Sequence, residues 1–137
     1  MIVLDASVLL KRFLLNEADR PQALQLFKRH LEGEDLIAVP DLAFYEIANT
    51  FVVRTPLPPE EIQKNLDELQ SYQFQIALFS ELPNVASIAR RYGLTIYDAA
   101  YVTLAQTLRC SFVTADERLL ARLKGVPHMV HLKGLAH

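Results

Sequence analysis

Met1-Ile2-Val3-Leu4-Asp5-Ala6-Ser7-Val8-Leu9-Leu10-Lys11-Arg12 is the stretch on which the fold turns. An apolar run of strand length stops at an acid, a small residue and a hydroxyl follow, and apolar residues return at helical spacing. The pattern predicts a buried strand ending at Asp5 and a helix with Ser7 near its start. Ligands of open α/β sheets gather beyond the carboxyl ends of the strands, which makes Asp5 a candidate for chemistry. Asp5 and Ser7 are equally the residue types that cap helices, so the stretch alone leaves both readings open.

Working outward, the same alternation repeats. Short apolar runs at 36–39, 74–79, 111–114 and 129–132 read as further strands. Helical periodicity is predicted over 16–31, with Pro21 in its first turn, and over 41–53, with Asp41 as its cap. Further helices are predicted from Pro59, from Ser80 to Gly93, over 95–108, and from Asp116 until Gly125 and Pro127 end it. Strands of this kind alternating with helices through brief connections imply an α/β fold, a parallel sheet covered on both faces. No repeat and no dividing linker is visible, so one domain over residues 1–137 is expected.

The chain is 137 residues long and 51% hydrophobic, enough for a real core. Fourteen Lys and Arg against sixteen Asp and Glu give a net charge of −2, so any nucleic-acid contact must rest on local patches. A single cysteine, Cys110, excludes an intrachain disulfide. There is neither a secretory leader nor an apolar run of spanning length, so a cytoplasmic protein with no membrane role is expected.

Four carboxylates need explaining. Asp5 and Asp116 follow strands, Glu46 lies inside the 41–53 helix, and Asp98 lies in the first turn of the 95–108 helix. Each has a plain alternative. Thr95-x-x-Asp98 and Thr114-x-x-Glu117 fit capping boxes, and Glu46 fits a solvated helix face. Yet Asp98 continues a stripe with Tyr101, Val102 and Ala105, where a lone buried carboxylate would be costly. Glu46 has Asn49 beside it on a face that also carries Leu42. Acids that converge repel unless a cation intervenes. Carboxylates without thiolate or imidazole partners suit Mg2+ or Mn2+. His30, His128, His131 and His137 make no zinc pattern.

The order of these pieces resembles the PIN domain family, and within it the VapC-type toxins of bacterial and archaeal toxin–antitoxin pairs. The matching pieces are Val3-Leu4-Asp5-Ala6-Ser7, then Glu46-Ile47-Ala48-Asn49, then 97–105 beginning Tyr97-Asp98-Ala99-Ala100, and 112–119 around Thr114-Ala115-Asp116. They span nearly the whole chain. The resemblance implies a three-layer α/β/α fold with a central parallel sheet, and Asp5, Glu46, Asp98 and Asp116 as the catalytic and metal-holding acids. Ser7, Asn49 and Thr114 fall at supporting positions. The implied activity is Mg2+- or Mn2+-dependent endonucleolytic cleavage of RNA by a metal-activated water, with a VapB-like antitoxin and a second copy of the chain as partners. Such acids need cations nearby to hold the phosphate backbone, and Lys11, Arg12, Arg118 and Arg122 are the candidates, joined by Arg90, Arg91 and Lys124. The apolar faces of 23–31 and 62–69 are available for the partner contacts or for the core.

Other readings fare less well. A receiver-type signalling domain would need paired acids after the first strand and a late Lys; here Asp5 stands alone and Thr114-Ala115-Asp116 occupies the late position. A haloacid-dehalogenase-type phosphatase would need Asp-x-Asp where Asp5-Ala6-Ser7 stands. An RNA-processing enzyme outside any toxin pair, and a catalytically silent binding module of the same fold, stay open.

Overall fold

The structure, a computed structural model, describes residues 1–135. His137 lies outside the described residues. Five strands form one parallel sheet: β1 Ile2–Leu4, β2 Ile37–Pro40, β3 Gln75–Ala77, β4 Ser111–Thr114 and β5 Met129–His131, in the order β3-β2-β1-β4-β5. The central strands are unbroken apolar runs because both faces of a parallel sheet are covered, and Val3, Leu4, Ile37, Phe112 and Val113 are fully buried.

The helices are α1 Ala6–Leu9, which tightens into a 3-10 turn over Leu10–Arg12, then α2 Arg20–Leu31, α3 Leu42–Arg54, α4 Pro59–Ser71, α5 Val85–Tyr92, α6 Ile96–Leu108 and α7 Glu117–Arg122. The chain steps outward from β1 to β2 to β3, then returns across the sheet to β4 and β5. Right-handed crossovers therefore set α1–α4 on one face and α5–α7 on the other. The packing agrees: α6 lies on β1, β2 and β4 and carries α5, while α3 packs on α1 and α4. This is the three-layer α/β/α arrangement expected from the sequence.

Element starts differ from the sequence expectation where the backbone turns left-handed. Asp19 has φ 58°, so α2 begins at Arg20 rather than near 16. The segment from Ser80 does not run on as helix. The Glu81 carboxylate accepts the Leu78 N–H at 2.8 Å and closes a separate 3-10 turn, and Asn84 at φ 62° then starts α5 at Val85.

The apolar faces of α2 and α4 are spent on the core. Ala23, Leu26, Phe27 and Leu69 are buried, and the Phe27 ring lies 4.8 Å from Tyr72 and 6.0 Å from Phe74. His30 is structural too. Its Nδ1 accepts the Ile37 N–H at 2.9 Å, which leaves Nε2 to donate to the Tyr72 carbonyl at 2.7 Å. Large apolar side chains left in solvent include Leu31 at the end of α2, Tyr45, Val52 and Val53 on α3, and Ile76, Leu78 and Phe79 at the open β3 edge.

Candidate active site

The strand order reverses direction between β1 and β4, and that switch point opens a crevice at the carboxyl edge of the sheet. Asp5 leaves β1 there and Thr114 ends β4 beside it. Asp5 is 7% exposed. Its Oδ2 accepts the Ser7 hydroxyl at 2.7 Å and the Thr114 hydroxyl at 2.7 Å, and neither hydroxyl goes to Oδ1. The same two hydroxyls accept in turn: Ser7 Oγ from the Ala115 N–H and Thr114 Oγ1 from the Asp116 N–H, both at 3.0 Å. Neither Asp5 nor Ser7 caps α1 through its side chain. The helix-cap reading of the opening stretch gives way to a hydroxyl clamp that ties β1 to β4 and fixes one face of the carboxylate.

The other acids arrive from three helices. Glu46, half-buried on α3, accepts the Tyr101 hydroxyl on Oε1 at 2.7 Å. Tyr101 is fully buried on α6, one turn beyond Asp98. The Asp98 N–H is capped by Thr95 Oγ1 at 3.1 Å. Asp116 caps α7, its Oδ1 accepting the N–H groups of Arg118 and Leu119 at 2.9 and 3.1 Å. The capping box expected at Thr114–Glu117 is therefore replaced by Asp116, because Thr114 is committed to Asp5 and Glu117 pairs with Lys133 at 2.9 Å.

Burial and mutual repulsion set the protonation of this group. Burial is the main cause raising the Asp5 carboxyl above its usual range; the Thr114 and Ser7 hydroxyls pull it back and Asp98 pushes it up. Glu46 is raised to about 7, mainly by burial, against the Tyr101 hydrogen bond and with help from Asp5 and Asp98. Asp98 is raised by burial and then by Asp116, with the Thr95 hydroxyl and then Arg122 opposing. All four acids thus share one electrostatic neighbourhood. Among the described residues no three acids, histidines or cysteines are gathered as a ready-made metal cage. The donor set nonetheless fits a hard divalent cation, being carboxylate oxygens alone, with charges that a cation between them would relieve.

The supporting and basic residues divide. Asn49 is exposed and makes no side-chain hydrogen bond among those described. Lys11 is 6% exposed and its Nζ lies 3.3 Å from Glu17. Arg12 donates from Nε to the Tyr72 hydroxyl at 3.0 Å and from Nη2 to Glu68 at 3.1 Å. The tight turn after α1 sets both cations against the fold's own acids, while Lys11 also lines the larger cleft beside Asp116. Arg118 and Arg122 stay exposed, Arg122 donating to the Gly93 carbonyl. Arg118 and Asp116 stand between two clefts, of about 780 Å³ toward α3 and about 420 Å³ toward α6. Two residues join the site from the structure: Tyr101, part of an apolar stripe by sequence, and Arg54, which lines the larger cleft. A tyrosine on a buried face carries a hydroxyl that needs a partner, and that was the available signal. Cys110 lies apart from the acids, its thiol pushed up by burial.

The PIN domain family model matches residues 2–126. Ribonuclease VapC3 of Pyrobaculum aerophilum is 34% identical over 85 residues, which is 58% of this chain and 65% of that relative, so the match covers under two thirds of its length. Exonuclease VapC9 of the same organism is 28% identical over 102 residues, covering 72% of this chain and 76% of that one. Among solved structures, PAE2754 from Pyrobaculum aerophilum superposes with a TM-score of 0.68 at 24% identity, over 96% of this chain and 83% of that one. A toxin–antitoxin complex from Klebsiella pneumoniae gives 0.66 at 17% identity, over 95% of each chain. These likenesses carry the fold.

Proposed function

The chain belongs to the PIN domain family, and from that premise we propose that residues 1–137 form one domain with the activity of a VapC-type, divalent-metal-dependent endoribonuclease, the toxin of a toxin–antitoxin pair acting in the cytoplasm. The observation that carries the reading is the clamped Asp5 at the switch point with Glu46, Asp98 and Asp116 inside one repulsive field. Asp5, Glu46, Asp98 and Asp116 would hold Mg2+ or Mn2+. When bound, such an ion supplies a water of lowered pKa and offsets charge developing on the phosphate.

The chain's own residues do the rest. Ser7 and Thr114 hold Asp5 Oδ2, so the carboxylate cannot rotate and presents Oδ1. Tyr101 holds Glu46 by Oε1 and leaves Oε2 as the oxygen that takes a proton from the attacking water. In the metal-free chain the Glu46 carboxyl is raised to about 7, a cost that a cation held beside it would relieve. Asp116 is fixed by its helix cap and works at the outer side of the group, next to Arg118. Arg118 and Arg122 set positive charge beside the acids and receive the phosphate backbone.

A VapB-like antitoxin and a homodimer belong to the same proposal. Tyr45, Val52 and Val53 of α3, 80%, 65% and 69% exposed, form an apolar surface that a protein partner would cover. Among the described residues no helix is long and apolar enough to cross a membrane.

The test is cleavage of a circular single-stranded RNA, which only an endonuclease can open, with Mn2+ or with EDTA. Wild-type protein should linearise it in Mn2+, and Asp5→Asn and Asp98→Asn should not. Equal cleavage by those variants overturns the assignment of the acids, and cleavage of linear ends alone overturns the endonucleolytic reading.

A further inference from the structure

Lys11 is a cation that the fold buries without using all of its donors. Its side chain is 7% exposed, and an ammonium has three protons to donate. Among the described residues one side chain accepts from it, the Glu17 carboxylate at 3.3 Å. Lys11 and Glu17 line the cleft of about 780 Å³ together with Arg54, Asp116, Glu117 and Arg118. The other two acids of that cleft have partners of their own. Asp116 accepts the Arg118 and Leu119 N–H groups, and Glu117 pairs with Lys133. Glu17 is therefore the anion that the buried ammonium of this cleft has drawn in.

Glu17 comes from a loosely attached part of the chain. Residues 15–18 are exposed and outside any helix or strand, between the 3-10 turn after α1 and the start of α2, and Leu15 at their head is 70% exposed. The flanks are firm. Arg20 donates from Nε to the Lys11 carbonyl at 2.8 Å and from Nη2 to the Arg12 carbonyl at 3.1 Å, closing the base of the loop. Glu17 is 41% exposed, so its carboxylate returns to water at small cost. Lys11 is not free to follow, and an ammonium left buried and unpaired is costly. Whatever displaces Glu17 must bring negative charge of its own, and a phosphate oxygen makes the same charge-assisted hydrogen bond. Building on the nuclease reading above, we propose that Glu17 stands in for a phosphate group. Residues 15–18 form an autoinhibitory latch that keeps Lys11 neutralised until a phosphate takes the carboxylate's place and the turn swings clear of the cleft.

The experiment reads the turn and the cleft separately. The chain has no tryptophan, so Leu15→Trp puts a single fluorophore on the turn. In EDTA, inorganic pyrophosphate and a single-stranded RNA of about twelve nucleotides should each shift its emission. Adding Glu17→Gln should start the protein at the shifted value and leave little further change. In the otherwise wild-type chain, Glu17→Gln should tighten both ligands roughly 3–5-fold and lower KM for cleavage in Mn2+ by the same factor, with kcat unchanged. Glu117→Gln removes the same charge from the same cleft and is the control, with an effect below about 2-fold. Lys11→Met added to Glu17→Gln should cancel the gain. Equal gains in Glu17→Gln and Glu117→Gln overturn the latch in favour of a general charge effect, and a gain that survives Lys11→Met overturns Lys11 as its seat. Binding and cleavage without any emission change overturn the latch and leave the nuclease. A pyrophosphate response like that above, with no RNA cleavage in Mn2+, supports the latch and overturns the nuclease.

Discussion

Thr114 Oγ1 donates to Asp5 Oδ2 over 2.7 Å, joining the ends of two neighbouring strands across 109 positions of sequence. Because the same hydroxyl accepts the Asp116 N–H, one side chain sets the positions of two of the four acids. Thr114→Val keeps the shape and removes both bonds. It should cost about 1–3 kcal/mol of stability, since Asp5 and the Asp116 amide lose a buried partner. Mn2+ affinity should fall on the order of 10-fold. Urea unfolding and a Mn2+ titration check the two together; a wild-type titration curve would dissociate the clamp from the metal.

Tyr101→Phe deletes the donor to Glu46 Oε1 and little else, because the ring stays packed against Phe112. The carboxyl of Glu46 should then rise further, since the hydrogen bond is what holds it down. In the cleavage assay kcat should drop about 10-fold near neutral pH with KM nearly unchanged, and the acidic limb of the pH–rate profile should move to higher pH. An unmoved profile would make Tyr101 a packing residue only.

Stability should depend on pH through Glu46. In the folded chain it holds its proton up to about 7, against the usual 4.5 once unfolded. Between those values the native state binds more protons, so this group's contribution is fully present below 4.5 and is lost as pH rises through 7. Asp5 and Asp98, also raised, act in the same direction. Metal-free Glu46→Gln should therefore gain Tm relative to wild type at about pH 8 and gain little at about pH 4. A pH-independent difference would contradict the burial and repulsion assigned to this site.

Mn2+ should raise the melting temperature of the wild type. At a free concentration 100 times Kd the linkage is worth about 2.7 kcal/mol. The shift should grow with pH as the acids ionise, and should largely vanish in Asp5→Asn. An equal shift in wild type and Asp5→Asn, followed by differential scanning fluorimetry, would place the cation elsewhere on the surface.

Much of this site was legible in the sequence because its signals are local. An apolar run that ends at Asp5, a Thr95 cap three residues before Asp98, and Asp116 after β4 each mark an element boundary within a few residues. What escaped the sequence depends on distant partners. Lys11 and Arg12 follow Asp5 closely in sequence, but the partners of Arg12, Glu68 and Tyr72, lie 56 and 60 positions away. Tyr101 read as core until Glu46, 55 positions back, supplied its acceptor. The late starts of α2 and α5 turn on left-handed backbone at Asp19 and Asn84, which periodicity does not register.

The pairing of β1 with β4 also orders events during synthesis. Asp5, Glu46 and Asp98 all precede residue 111, but β1 gains its second neighbour, and Asp5 its Thr114 clamp, only when Ser111–Thr114 has left the ribosome. Closing a contact of that span is the slow, late kind of folding event. A nascent or prematurely ended chain therefore carries three of the acids without the strand that completes their setting.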